Sequence, residues 1–141
     1  MQTIAQTTQA LPGAAGTKAD TQLWIGRVLR VLVVMFMAFD GTMKIAGEQH
    51  VVKAMGELGW PRGQALALGL VILVCTALYA IRRTSVLGAI LLTGFLGGAT
   101  AAKARVEDAS LLFSVFMGVL VWASLYFRYT RVRALLRFGR D

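Results

Sequence analysis

The chain has 141 residues, 57% of them hydrophobic, with a formal net charge of +8 and a mean hydropathy of +0.64. That is too apolar for one soluble domain, and a single cysteine, Cys75, excludes an intrachain disulfide or a CxxC redox pair. The positive charge gathers at alternate ends of apolar runs rather than along one face, which argues for a membrane protein with no nucleic-acid partner.

Residues 1–22 are rich in Thr, Ala, Gln and Gly, contain Pro12-Gly13 and show no hydrophobic period, so they read as a flexible N-terminal tail. They lack the basic n-region of a signal peptide, and the first apolar run reads as a retained span. Four such runs follow, at residues 23–46, 64–81, 85–102 and 109–129. At about 1.5 Å per residue each covers the ~30 Å of hydrocarbon, the second only just. The expected fold is all-α: an integral membrane four-helix bundle over residues 23–129, with a basic cytoplasmic tail at 130–141.

The first run, WIGRVLRVLVVMFMAFDGTMKIAG, carries Asp40 and Lys44 near its far end. A charge inside a span costs at least ~2.5–3.5 kcal/mol, so Asp40 needs a partner, and the i,i+4 spacing makes Lys44 the first candidate. Asp40 lies ~24 Å along the axis from Trp24, and Lys44 ~6 Å further, toward headgroups and water. On a helical wheel Gly26, Arg27, Arg30, Met37, Asp40, Gly41 and Lys44 share one arc, expected to face the bundle. Leu32, Met35, Phe36, Phe39 and Met43 point to lipid or to neighbouring helices.

In the loop after this span Val51, Met55 and Leu58 recur at helical spacing and Gly59-Trp60-Pro61 ends the pattern. This predicts a short interfacial helix in the first exterior loop, anchored by Trp60. His50, the single histidine, has no second metal ligand near it in sequence and reads as a solvated loop residue, so no metal site is expected. Cys75 sits mid-span as an ordinary small apolar thiol. Arg82-Arg83 make so short a turn that the second and third spans must be antiparallel neighbours.

The third span holds Gly94 and Gly98 as a GxxxG pair, with Thr93, Gly97 and Ala101 one position off. This row predicts tight helix packing or, alternatively, a ligand groove, and in either case a central place in the bundle. Lys103, Arg105, Glu107 and Asp108 form a charged loop on the same side as Asp40, which makes Lys103 and Arg105 further candidates for that polar site. In the fourth span Ser114, Gly118, Trp122 and Tyr126 lie on one i,i+4 row, and Trp122, Tyr126, Phe127 and Tyr129 form an aromatic belt. The arginine-rich tail suits anionic headgroups.

One side of the membrane holds Lys18, Arg27, Arg30, Arg82, Arg83, Arg128, Arg131, Arg133, Arg137 and Arg140; the other holds Lys44, Lys53, Arg62, Lys103 and Arg105, offset by acids. The positive-inside rule then puts both termini in the cytoplasm of a multi-pass protein.

The run from Tyr79 to Ala99, YAIRRTSVLGAILLTGFLGGA, resembles the signature of DoxX-like membrane proteins, small four-span bacterial proteins. Phe39-Asp40-Gly41 followed by Lys44, and AMGELGWP at 54–61, are similar too. The resemblance implies the bacterial inner membrane and a redox-linked setting, since the wider family is named for a subunit linked to quinone-dependent sulfur oxidation and some relatives are associated with oxidative-stress complexes. Arg82 stands where that pattern usually has proline, and Lys103 where it usually has histidine.

No catalytic constellation is visible: there is no Ser/His/Asp set and no phosphate loop. Two functions remain. One is an accessory or scaffold subunit of a membrane assembly, partnered by other subunits or by copies of itself, with Asp40–Lys44 as a clasp. The other is a small-molecule carrier or quinone-interacting redox partner. In that case a cavity between the first, third and fourth spans would use Asp40 for protons, Lys44 and Arg105 for an anionic group, and Gly94, Gly97 and Gly98 to admit a flat ring.

Overall fold

The computed structural model describes residues 13–61 and 63–137. Six helices account for the fold, with no strand among the described residues: α1 Gly13–Ala46, α2 Gln49–Glu57, α3 Gln64–Ala80, α4 Ser85–Arg105, α5 Leu111–Arg128 and α6 Thr130–Leu136. The chain is an all-α bundle of the membrane type. α1, α4 and α5 are long and apolar enough to cross a bilayer, and α3 is a shorter apolar helix of 17 residues.

The helix ends follow local rules. After α1, Gly47 adopts φ +66°, its N–H reaches the Lys44 carbonyl (3.3 Å) and the Glu48 N–H reaches that of Met43 (3.5 Å). This paired closure satisfies carbonyls that the helix leaves open. α2 ends the same way at Gly59, and α4 at Glu107, where a non-glycine residue takes φ +54°.

α1 packs against α3 and α5, and α4 packs against the same two helices; α1 and α4 face each other across a diagonal without adjoining. The core is Val33 and Met37 of α1, Ile72, Cys75 and Tyr79 of α3, Ala89, Leu92 and Leu96 of α4, and Met117, Val121 and Leu125 of α5. Tyr79 crosses the other diagonal: its hydroxyl is hydrogen-bonded to that of Ser124, and both lie 3.3 Å from the Val121 carbonyl oxygen. Large apolar residues on the outside, among them Leu32, Met35, Phe39, Val74, Leu112 and Val119, are exposed as a lipid-facing surface requires.

Single glycines set the distances between helices. A Cβ on Gly41 would lie 2.7 Å from Ile72 Cγ2, and one on Gly69 would lie 2.9 Å from the Gly41 carbonyl oxygen, so α1 and α3 cross nearly backbone to backbone. A Cβ on Gly88 would overlap the backbone of Tyr79 where α4 doubles back on α3.

Three expectations are corrected here. α1 is helical from Gly13, so residues 13–22 continue the helix, exposed from Gly16 onward; the remainder of the expected tail, residues 1–12, lies outside the described residues, as do Arg62 and Arg140. α4 is no more central than α1: each packs against α3 and α5, and the two do not adjoin. Its GxxxG row packs against no helix among the described residues of this chain: Cβ atoms on Gly94, Gly97 and Gly98 would meet nothing within 4 Å. By contrast the antiparallel α3–α4 pair, the short amphipathic α2 with Met55 buried, and the bundle-facing Gly26, Met37 and Gly41 are found, whereas Arg27 of the same arc is exposed.

The glycine contrast generates a prediction. Gly88→Ala should destabilise the detergent-solubilised protein by roughly 1–3 kcal/mol, since the clash is with backbone that cannot rotate away. Gly94→Ala and Gly98→Ala should leave the thermal midpoint unchanged or raise it slightly, alanine being the better helix former. Equal effects at all three sites would refute this assignment of seams.

Candidate functional site

Asp40 and Lys44 lie one helical turn apart on α1, and the Lys44 ammonium meets Asp40 Oδ2 at 2.5 Å. It is the one ion pair among the described residues. The lysine is the more enclosed partner, its side chain 17% exposed against 33% for the acid. The reason is the α1/α3 crossing, where the Lys44 Cβ lies against Gly69.

Lys103 and Arg105 do not join this pair. Lys103 donates to the Ser114 hydroxyl at 3.4 Å, bridging α4 to α5, and Arg105 is exposed at the end of α4. In the loop that follows, the Ser110 backbone N–H and hydroxyl both donate to the Asp108 carboxylate, at 2.9 and 2.8 Å. Those hydrogen bonds, helped by the charge of Lys103, hold the Asp108 carboxyl below its ordinary value. His50 is exposed on α2.

The small-residue row of α4 lines a groove instead. Between α4 and α5 runs an open furrow of about 900 Å³, walled by Thr93, Gly97, Thr100 and Ala101 on one side and by Ser114, Gly118, Trp122 and Tyr126 on the other. The i,i+4 row read from the sequence of α5 is thus one of its walls. At one point the walls are tied: Trp122 Nε1 donates to Thr93 Oγ1 at 2.9 Å, and that hydroxyl donates to the Ala89 carbonyl at 2.7 Å. No ionisable side chain other than Tyr126 lines the furrow, and Asp40 and Lys44 lie outside it. Of the expected groove residues, Thr93 and Gly97 face it; Gly94 and Gly98 do not line it.

The DoxX-like family matches residues 28–124, which take in the ion pair, both crossing glycines and the walls of the furrow as far as Ala123. The chain belongs to the DoxX-like family. No curated protein and no solved structure matches it. The membership agrees with the resemblance carried by the α3–α4 turn and by the Asp40–Lys44 segment, and it makes this DoxX-like chain a membrane protein.

Chemically, the Asp40–Lys44 pair is satisfied within one helix. Lys44→Ala should leave the Asp40 carboxylate without its partner and cost about 1–3 kcal/mol. Replacing both residues by apolar ones of similar size should cost less than Lys44→Ala alone. A thermal-melt series on the two singles and the double decides it: simple additivity would mean that the two side chains do not act as a pair.

Proposed function

We propose that this DoxX-like protein is an accessory or scaffold subunit of a membrane assembly, and that it receives a transmembrane helix of a partner subunit in the α4/α5 furrow. The furrow carries this reading. It runs much of the length of two helices, is open along one side, and has residues without bulk, Gly97, Ala101 and Gly118, in its walls. Lipid supplies no hydrophobic drive between helices, so partners associate where small residues let backbones approach. The polar groups nearby, Thr93 and Trp122, already satisfy one another. The ion pair then serves as an internal clasp, and Asp40 has a partner without any substrate.

Gly118→Leu tests the furrow, because the added side chain would enter the groove while a Cβ there meets only Leu96 Cδ1 at 3.9 Å within the protein. The variant should fold with an unchanged melt and lose a stoichiometric partner on purification from the native membrane. Retention of that partner would overturn the furrow as its seat, and self-association through the same face would show as loss of a dimer.

A second reading keeps a specific support: about 900 Å³ lies within the size range of small-molecule sites, and Trp122 and Tyr126 offer ring faces. On that reading the furrow holds the tail and ring of a quinone. Quinone co-extracting with the purified protein, and lost in Gly118→Leu without loss of a protein partner, would favour it.

We further infer four spans in the bacterial inner membrane with both termini cytoplasmic. The support is the asymmetry of basic residues, since Arg30, Arg82, Arg83, Arg128, Arg131 and Arg133 all lie at or beyond the α3–α4 and α5–α6 end. A cysteine introduced at Gln49 should label from outside intact cells and one at Arg133 should not; the opposite pattern would invert the topology.

A further inference from the structure

Three arginines from three different elements converge at the end of the bundle formed by the α3–α4 turn. Arg128 closes α5, and its stem lies across α1 where Gly26 makes a slot: a Cβ on Gly26 would sit 2.6 Å from Arg128 Cγ. Arg30 follows Gly26 by one turn on the same face of α1, and Arg82 stands in the turn between α3 and α4. Arg30 and Arg82 are close enough to Arg128 for their charges to act on it, and Arg30 and Arg128 act likewise on Tyr79.

The cluster is held rather than splayed. The Arg128 guanidinium lies over the Tyr129 ring, 5.4 Å from its centroid, and the Tyr129 hydroxyl donates to the Arg82 carbonyl at 3.1 Å. Its charges are uncompensated. Among the described residues the single ion pair is Asp40–Lys44, and Arg128 Nη1 is buried with no hydrogen-bond partner. A buried guanidinium nitrogen without an acceptor is costly, and so is the approach of like charges to it. Surface arginines that merely seek water, such as Arg27 and Arg131, are exposed and carry no such penalty.

We propose that Arg30, Arg82 and Arg128 form an anion site for a phosphate group, with the partly buried Arg128 guanidinium on its inner side and the exposed Arg82 on its outer side. Planar guanidinium forks match the oxygens of a phosphate, and a site made from α1, the α3–α4 turn and α5 would couple its occupancy to the packing of all three. The phosphate belongs either to an anionic lipid headgroup or to a soluble phosphate ester. The site is independent of the furrow, which lies between α4 and α5 and includes none of the three arginines.

The test uses the full-length chain in nanodiscs and has two arms. In the first, discs of phosphatidylcholine are titrated with glycerol phosphate; in the second, the phosphatidylglycerol fraction of the discs is varied with no soluble phosphate present. The thermal midpoint is read throughout. Arg82→Gln is the informative variant, because Arg82 is exposed and its carbonyl, which Tyr129 uses, is untouched. Arg131→Gln on α6 removes the same charge from an exposed position outside the cluster. Wild type and Arg131→Gln should be stabilised alike, with Arg82→Gln needing about tenfold more ligand, the loss expected for one charge-assisted contact. Response in the first arm identifies a soluble ester, and response in the second arm alone identifies the lipid headgroup. Arg30→Gln serves as a second variant with the same expectation. No stabilisation in either arm, or equal losses in Arg82→Gln and Arg131→Gln, would overturn the site.

Discussion

Close approach of backbones is the constraint on which the rest of this structure depends. Helices in lipid gain little from excluding water between them, so they must gain from contact, and contact is greatest where side chains are missing. Three of the four seams in the bundle are made this way: α1 to α3 through Gly41 and Gly69, α3 to α4 through Gly88, and α1 to α5 through Gly26. The fourth, between α4 and α5, is tied by side chains, Trp122 to Thr93 and Lys103 to Ser114. It is also the seam with room left in it. A bundle closed on three sides by glycine and on the fourth by polar bridges has one face that differs in kind.

The apolar part of each long helix and the Asp40–Lys44 pair were legible in the sequence because both depend on residues near one another in the chain. Apolar length limits a span, and an i,i+4 pair needs no tertiary knowledge. The small-residue row of α4 misled for a physical reason. Such a row says that a helix surface is smooth, but not whether a neighbour in the same chain occupies it, and here none does. The glycines that do set the seams act across two helices, so Gly41 and Gly69 form no repeat on either one. Lys103 and Arg105 were grouped with Asp40 because they lie at the same end of the bundle. Whether α1 and α4 adjoin is decided by the order of helices around the ring, which a linear pattern does not contain. Residues 13–22 lack a hydrophobic period, yet alanine and lysine support a helix without one once α1 supplies the nucleus.

The charged groups divide between the two ends according to how they are satisfied. At the α2 end, acid and base neutralise each other within a single turn of α1, and the loop carboxylate of Asp108 is occupied by Ser110. At the other end, arginines from α1, the α3–α4 turn and α5 meet without a counter-charge. The first arrangement is complete as it stands, while the second is built to be completed by something outside the chain. Function in this molecule is therefore more readily found where the electrostatics are unfinished than where the sequence first draws the eye.

The brevity of α3 carries a mechanical consequence. Its 17 residues rise about 25 Å, some 5 Å less than typical hydrocarbon, while its neighbour α1 runs for 34 residues. With α3 across the bilayer, the lipid beside it must thin, or the whole bundle must lean so that the short helix stands upright and the long one slants. Either response costs fractions of a kcal/mol per ångström of mismatch. On the four-span reading, a bilayer that thins rather than a bundle that leans would carry a dimple on that flank, and such a deformation favours thinner patches of membrane and neighbours with short spans of their own.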